Sequence, residues 1–243
     1  MPAPLSTRRR LAAVLVPAAA VLVLSSSPVE AQEPHAGPPS AEGLGTVSFA
    51  TSCTPEVQAG FERAVAMLHS FWYPAAERAF GAVADQDPEC AMAHWGRAMS
   101  RFRQLWIRPG PEDVRVAREA LSSAGRAPST TERERAYVAA VEHVFTDRRN
   151  VTYLDRLHSY ERAMRGLHER WPDDPEAAVF HALALLAVAY ASPPDPSFGR
   201  QKEALAILEP VLDARPDHPG VAHYMIHATD YPALAKRGLE PAR

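Results

Sequence analysis

Apolar residues recur every three or four positions along most of this chain, and proline-rich breaks separate the periodic stretches. Phe61, Ala64, Val65 and Leu68 form one stripe at helical spacing; Thr54 before it can cap a helix and Pro55 fits a first turn. Tyr73-Pro74 turns the chain, after which Ala76, Ala79, Phe80 and Val83 form a second stripe. Asp87-Pro88-Glu89 ends that helix and opens a third, with Trp95, Ala98 and Phe102 facing inward. Pro109-Gly110-Pro111 breaks the chain again, Thr131 with Glu134 has the form of a capping box, and Asp174-Pro175-Glu176 and His218-Pro219 mark two more starts. The pattern predicts an all-α domain over residues 53–243.

The stripes repeat. Phe80, Val83 and Pro88 lie 4, 7 and 12 positions after Ala76, and Ala204, Leu208, Val211 and Pro216 reproduce that spacing. Tyr160, Met164, Leu167 and Pro172 reproduce it with a larger first residue, whereas Val116, Ala120 and Ser123 before Pro128 make a poor copy. Pro88, Pro128, Pro172 and Pro216 are 40, 44 and 44 residues apart. A helix hairpin cannot bury its apolar face alone, so copies stack into a continuous core. The small residue lets two helices approach, and the proline ends the second one.

In these sets, and in the starts at residues 172–177 and 216–219, the chain resembles the tetratricopeptide-repeat family over about residues 53–243. Its period of 40–44 residues exceeds the family's roughly 34. Longer helices or loops, such as residues 191–199 with Pro193, Pro194 and Pro196, take up the excess; HEAT-like pairs are the competing solenoid. Residues 68–73 (Leu-His-Ser-Phe-Trp-Tyr) and 87–96 are similar to exported bacterial members of the family without a defined activity. The resemblance implies an α-solenoid of stacked hairpins whose first helices line a concave groove, and a protein or peptide ligand lying in it.

Composition narrows this further. The 243 residues include 44 Ala and only three Ile, which favours helix over strand. A formal net charge of -3 removes the electrostatic case for a nucleic-acid partner. Arg8, Arg9 and Arg10, the apolar run from Leu11 to Leu24 and the A-x-A-like Val29-Glu30-Ala31 have the layout of a secretory signal peptide over residues 1–31. That run is shorter than the roughly 20 residues a bilayer needs, so no stable membrane insertion is expected after cleavage; an uncleaved anchor is the alternative. The chain is expected in the periplasm or outside the cell. Residues 32–52, rich in Pro and Gly, read as a flexible linker. Export and an even count favour a Cys53–Cys90 disulfide over two separate thiols. No polar capping helix follows residues 233–243, which suggests either a fragment of a longer array or a last hairpin that pairs with a partner.

Candidate chemistry gathers near the C-terminus. His223, His227 and Asp230 are spaced i, i+4 and i+7, so one helical face presents two imidazoles and a carboxylate, a facial set for a divalent transition metal. The family resemblance points all three into the groove. The Glu of a zinc-protease helix is absent from His223-Tyr224-Met225-Ile226-His227, so no hydrolase base is present there, and no catalytic residue is assigned. The ordinary alternative is histidines bound to water or to a partner's backbone. Trp95 and Met99 are further candidate partner contacts, with core packing alongside Phe102 as the alternative. His218 reads as a helix-start residue, and His94 and His181 as core residues. His69 beside Phe71, Trp72 and Tyr73 reads as a turn residue or as part of an aromatic-lined pocket. Arg133, Arg135, Arg148 and Arg149 read as a solvated face. P-loop, G-x-G-x-x-G and G-x-S-x-G motifs are absent. These readings favour a partner-binding scaffold without a cofactor; a metal-binding protein using His223, His227 and Asp230 is the alternative, and a factor for cell-envelope polymers a third.

Overall fold

Proline lacks the N–H that the first turn of a helix leaves unpaired anyway, so it starts helices at little cost. In the computed structural model, which describes residues 43–146 and 151–239, five of nine helices carry proline in the first turn: α1 (Pro55–His69), α2 (Tyr73–Gln86), α4 (Pro111–Arg126), α7 (Pro175–Ala191) and α9 (Pro219–Thr229). The others are α3 (Ala91–Arg101), α5 (Glu132–Phe145), α6 (Tyr153–Arg170) and α8 (Gly199–Ala214), and a 3-10 turn spans Ala235–Gly238. The described residues contain no strand. Thr131 and Glu134 close the expected capping box at α5, and Asp174 caps α7. The signal peptide, the linker up to residue 42, Arg148 and Arg149 lie outside the described residues.

Every helix packs on the next, giving hairpins α1/α2, α3/α4, α5/α6 and α7/α8 stacked in an all-α array. The repeated stripes are the buried faces of the second helices: Ala76, Phe80 and Val83 in α2, Tyr160, Met164 and Leu167 in α6, Ala204 and Leu208 in α8. The poor copy before Pro128 has a physical reason. The buried face of α4 is Ala117, Ala120, Leu121 and Ala124, in which Ala117, Leu121 and Ala124 carry the same +4 and +7 spacing one position later, with one residue fewer before the proline.

First helices also touch: α1 on α3, α3 on α5, α7 on α9, and α1 on α9. The array thus curls until its ends meet, and its inner side is filled. At the centre lies α7, buried continuously from Glu176 to Val188, as expected for a helix apolar on all sides. Phe180 of α7 meets His69 of α1 at 4.7 Å, Trp95 of α3 at 5.4 Å and Tyr137 of α5 at 6.5 Å between ring centroids. Trp95 (1% exposed) and Met99 (0%) are therefore core residues, not partner contacts. The closing of the array has covered the middle of the expected trench.

Residues 43–52, the described part of the predicted linker, run across this core instead of standing off it. Leu44, Val47 and Phe49 are buried, and Phe49 lies against Phe61, Trp95 and Tyr137 at 5.5, 5.8 and 5.0 Å. The Thr46 N–H bonds to the Asp217 carbonyl, and Gly45, at φ 74°, passes so close to that oxygen that a Cβ would come within 2.2 Å. Ser52 donates to Glu134 from its N–H and its hydroxyl, both at 2.7 Å. The strap ends at Cys53, which is disulfide-bonded to Cys90 at the start of α3. Among the described residues no helix is long and apolar enough to cross a membrane.

Two stability changes are expected. The Cys53→Ala/Cys90→Ala pair, which opens a loop of sequence separation 37, should lower stability by about 2–4 kcal/mol in chemical denaturation. Gly96→Ala should cost about 1–3 kcal/mol by overpacking, because its Cβ would fall 2.3 Å from the Phe80 ring; Gly125→Ala, whose Cβ meets open space inside α4, is the control and should hold or raise stability.

Candidate functional site

Glu176 sits in the first turn of α7, wholly buried, and its carboxylate receives two imidazoles. His69 Nε2, from the last turn of α1, is 2.8 Å from one oxygen; His218 Nε2, from the cap of α9, is 2.8 Å from the other. The second nitrogen of the His218 ring assigns its tautomer. His218 Nδ1 accepts the Gly220 N–H at 3.1 Å, so Nε2 carries the proton given to Glu176. His69 Nδ1 takes the Tyr224 hydroxyl at 2.8 Å. A Cβ at Gly220 would lie 2.6 Å from His69 Nδ1, so only glycine lets α9 come this close. Burial alone would raise the Glu176 carboxyl, but the two histidines outweigh it and hold it down to about 2. The positive end of α7 works in the same direction. Burial lowers His69, with Glu176 opposing. Beside this group Asp174 takes the Tyr137 hydroxyl at 2.9 Å and Arg133 at 2.6 Å, so Arg133 belongs to the core edge and not to a solvated face.

The same histidine leads outward. Its backbone carbonyl accepts His223 Nδ1–H at 2.7 Å. That bond leaves the His223 Nε2 lone pair free to take His227 Nε2–H at 3.0 Å. Burial lowers both rings, His227 down to about 4 with His223 adding to the effect. Rings surround the pair: Phe71 is 4.4 Å from His223 and stacks on Tyr73 and His227 at 5.4 and 5.6 Å, and Trp106 stands 5.0 Å from His227. Trp106 leads through Tyr190 (6.4 Å) to a hollow of about 400 Å³ lined by Tyr190, Pro193, Phe198, Arg200 and Tyr231. Trp106 is 58% exposed, and Trp72, Ile107 and Ile226 on the same segments are exposed too.

Backbone strain marks both ends of this surface. Phe71 follows α1 in a Schellman turn, in which Trp72 N–H reaches the Met67 carbonyl and Phe71 N–H the Leu68 carbonyl. The position usually holds glycine because φ is positive; here φ is 58° on phenylalanine. Phe198, at φ 53°, caps α8 in the same left-handed region. Among the described residues these are the two non-glycine residues with positive φ. Each costs about 1–2 kcal/mol.

The sequence-derived metal set comes together only in part. His223 and His227 meet, whereas exposed Asp230, the C-cap of α9, joins them in no trio of donor atoms within 4.8 Å among the described residues. Among the described residues the trios of donor atoms within 4.8 Å of one another are Cys53–Asp87–Cys90 and His69–Glu176–His218. The sulfurs of the first are joined in the disulfide, and all four ring nitrogens of the second are committed. His218 starts α9 as its spacing implied, and also holds Glu176, a role that spacing did not reveal. His69 is neither a turn residue nor a pocket wall but a core ring. His94 bonds the Pro88 carbonyl at 3.0 Å, and His181 is buried against His168, 3.3 Å between Nδ1 atoms. Glu176, Tyr224, Trp106 and Tyr190 went unnoticed in the sequence; the signal for Glu176 was an acid placed just before a wholly apolar run. No family model, curated protein or solved structure matches this chain.

The buried carboxylate sets a pH dependence. Its folded value lies below the ordinary 4.5, so its contribution is full above about pH 4.5 and is lost as pH falls toward 2. His69, His223 and His227 are lowered from 6.5, so the unfolded chain binds their protons first and stability also declines as pH falls below 6.5. Glu176→Gln should cost about 3 kcal/mol at pH 7 and remove the part of the acid loss between pH 4.5 and 2, read from denaturation curves across pH.

Proposed function

We propose that this chain is an exported, tetratricopeptide-repeat-like scaffold that binds a protein or peptide segment on the aromatic surface between Phe71 and Phe198. The observation that carries this reading is the strained placement of both phenylalanines at the two ends of one exposed ring surface. Backbone strain persists where surrounding structure holds it, and it concentrates at binding sites. Rigid rings with exposed faces give contact area at small entropic cost, which is why aromatic residues dominate binding energetics. The hollow beside Tyr190 suits one apolar side chain of the ligand, with Arg200 at its edge. The Cys53–Cys90 disulfide supports an oxidising compartment.

Peptides selected from a displayed library against the purified protein test this. They should lose about thirtyfold in affinity on Trp106→Ala, as for an anchor worth about 2 kcal/mol. Arg115→Ala, in an exposed ion pair on α4, should leave affinity unchanged. Selected peptides indifferent to Trp106→Ala would place the binding surface elsewhere.

A further inference from the structure

We propose that His223 and His227 form a two-imidazole chelate for a divalent transition ion, copper(II) above all, at the mouth of the aromatic surface. The two Nε2 atoms are 3.0 Å apart. Imidazole nitrogens bind such ions at about 2.0–2.1 Å, so two nitrogens at that separation subtend about 95° at a shared ion. This is close to the right angle of a square or octahedral field, and copper(II) heads the affinity order of divalent ions for imidazole nitrogens. Both rings project from one face of α9, one turn apart, and need no backbone movement to chelate.

The orientation of the pair is fixed from behind. His223 Nδ1–H is held by the His69 carbonyl at 2.7 Å, which directs its Nε2 lone pair at the site. Ligating histidines are commonly oriented by such an outer hydrogen bond. The carbonyl belongs to the residue whose side chain grips Glu176, so the ligand is anchored to a wholly buried polar group of the fold. Phe71 and Trp106 wall the pair. On binding, the ion replaces the hydrogen bond between the two rings: His227 passes its proton from Nε2 to Nδ1, both rings stay neutral, and the remaining positions go to water. Asp230, just past the end of α9, adds negative charge beside His227.

The proposal stands apart from the peptide reading, since either surface property can exist without the other. The test is titration of the full chain, purified without a polyhistidine tag, with copper(II), followed by electron paramagnetic resonance and thermal unfolding. Wild type should bind one ion with two equatorial imidazole nitrogens and unfold at a higher temperature with copper. His227→Gln should lose one nitrogen, weaken binding at least tenfold, since even outer-shell losses cost about 10–100-fold, and abolish the thermal shift. His168→Gln, which disrupts another close pair of imidazoles away from the site, should change nothing. A two-nitrogen signal that survives His227→Gln, or that disappears with His168→Gln, overturns the proposal. So does the absence of a two-nitrogen signal in wild type. His223→Gln should repeat the His227→Gln result; because His223 also holds the His69 carbonyl, His227→Gln decides should that variant fail to fold.

Discussion

A carboxylate with no exposure to water is costly unless every lone pair is answered, and Glu176 dictates much of this architecture for that reason. Its partners come from helices far apart in sequence: His69 ends α1, and His218 begins α9. Satisfying both oxygens requires the first and last helices to meet at the N-terminus of α7. The array can close only where that geometry is met. Gly220 permits the approach, Tyr224 completes the His69 ring, and Phe180 stacks beneath it. Replacing one of these members leaves the others polar, buried and unpaired, which makes the network cooperative rather than a sum of bonds.

Closure explains both what is hidden and what remains available. An open stack of hairpins would expose Trp95 and Met99 along its inner side. Curling brings Trp95, Tyr137 and Phe180 into mutual contact, and the strap carrying Phe49 seals them. What stays accessible is the rim beyond His69, where the α1–α2 turn, the segment after α3 and α9 converge. The rings of that rim are tied to the core by the hydrogen bond from His223 to the His69 carbonyl and by the packing of Phe71 and His223 on buried Tyr224.

Local features of the fold were legible in the sequence because they rest on local rules. Proline starts, the capping box at Thr131 and the spacing of Ala76, Phe80 and Val83 depend on residues within a few turns of one another, and the structure places them as the spacing implies. The even cysteine count and the expected export likewise allowed the disulfide to be anticipated. The register of α4 was misread by one position because Val116 is more apolar than Ala117, while the tight packing there favours the smaller residue. The strap was missed because Pro and Gly content outweighed the apolar Val47 and Phe49. Glu176 and its histidines were not legible at all: residues separated by 107 and 42 positions carry no periodic signature.

The two left-handed phenylalanines bear on whether the rim is functional or only structural. For stability alone, glycine at either position would relieve about 1–2 kcal/mol of backbone strain, and side chains there would have to recover at least that much by burial. Phe71 recovers it in part, stacked between Tyr73 and His227, yet it remains partly accessible and touches the rings that face solvent. Phe198 has one ring partner, Tyr231. Neither ring is sunk in the core as Phe80, Phe102 and Phe180 are. Strain of this size at two positions, both aromatic and both at the edges of one exposed surface, fits a chain that holds rings outward for something to bind better than a chain that seals itself.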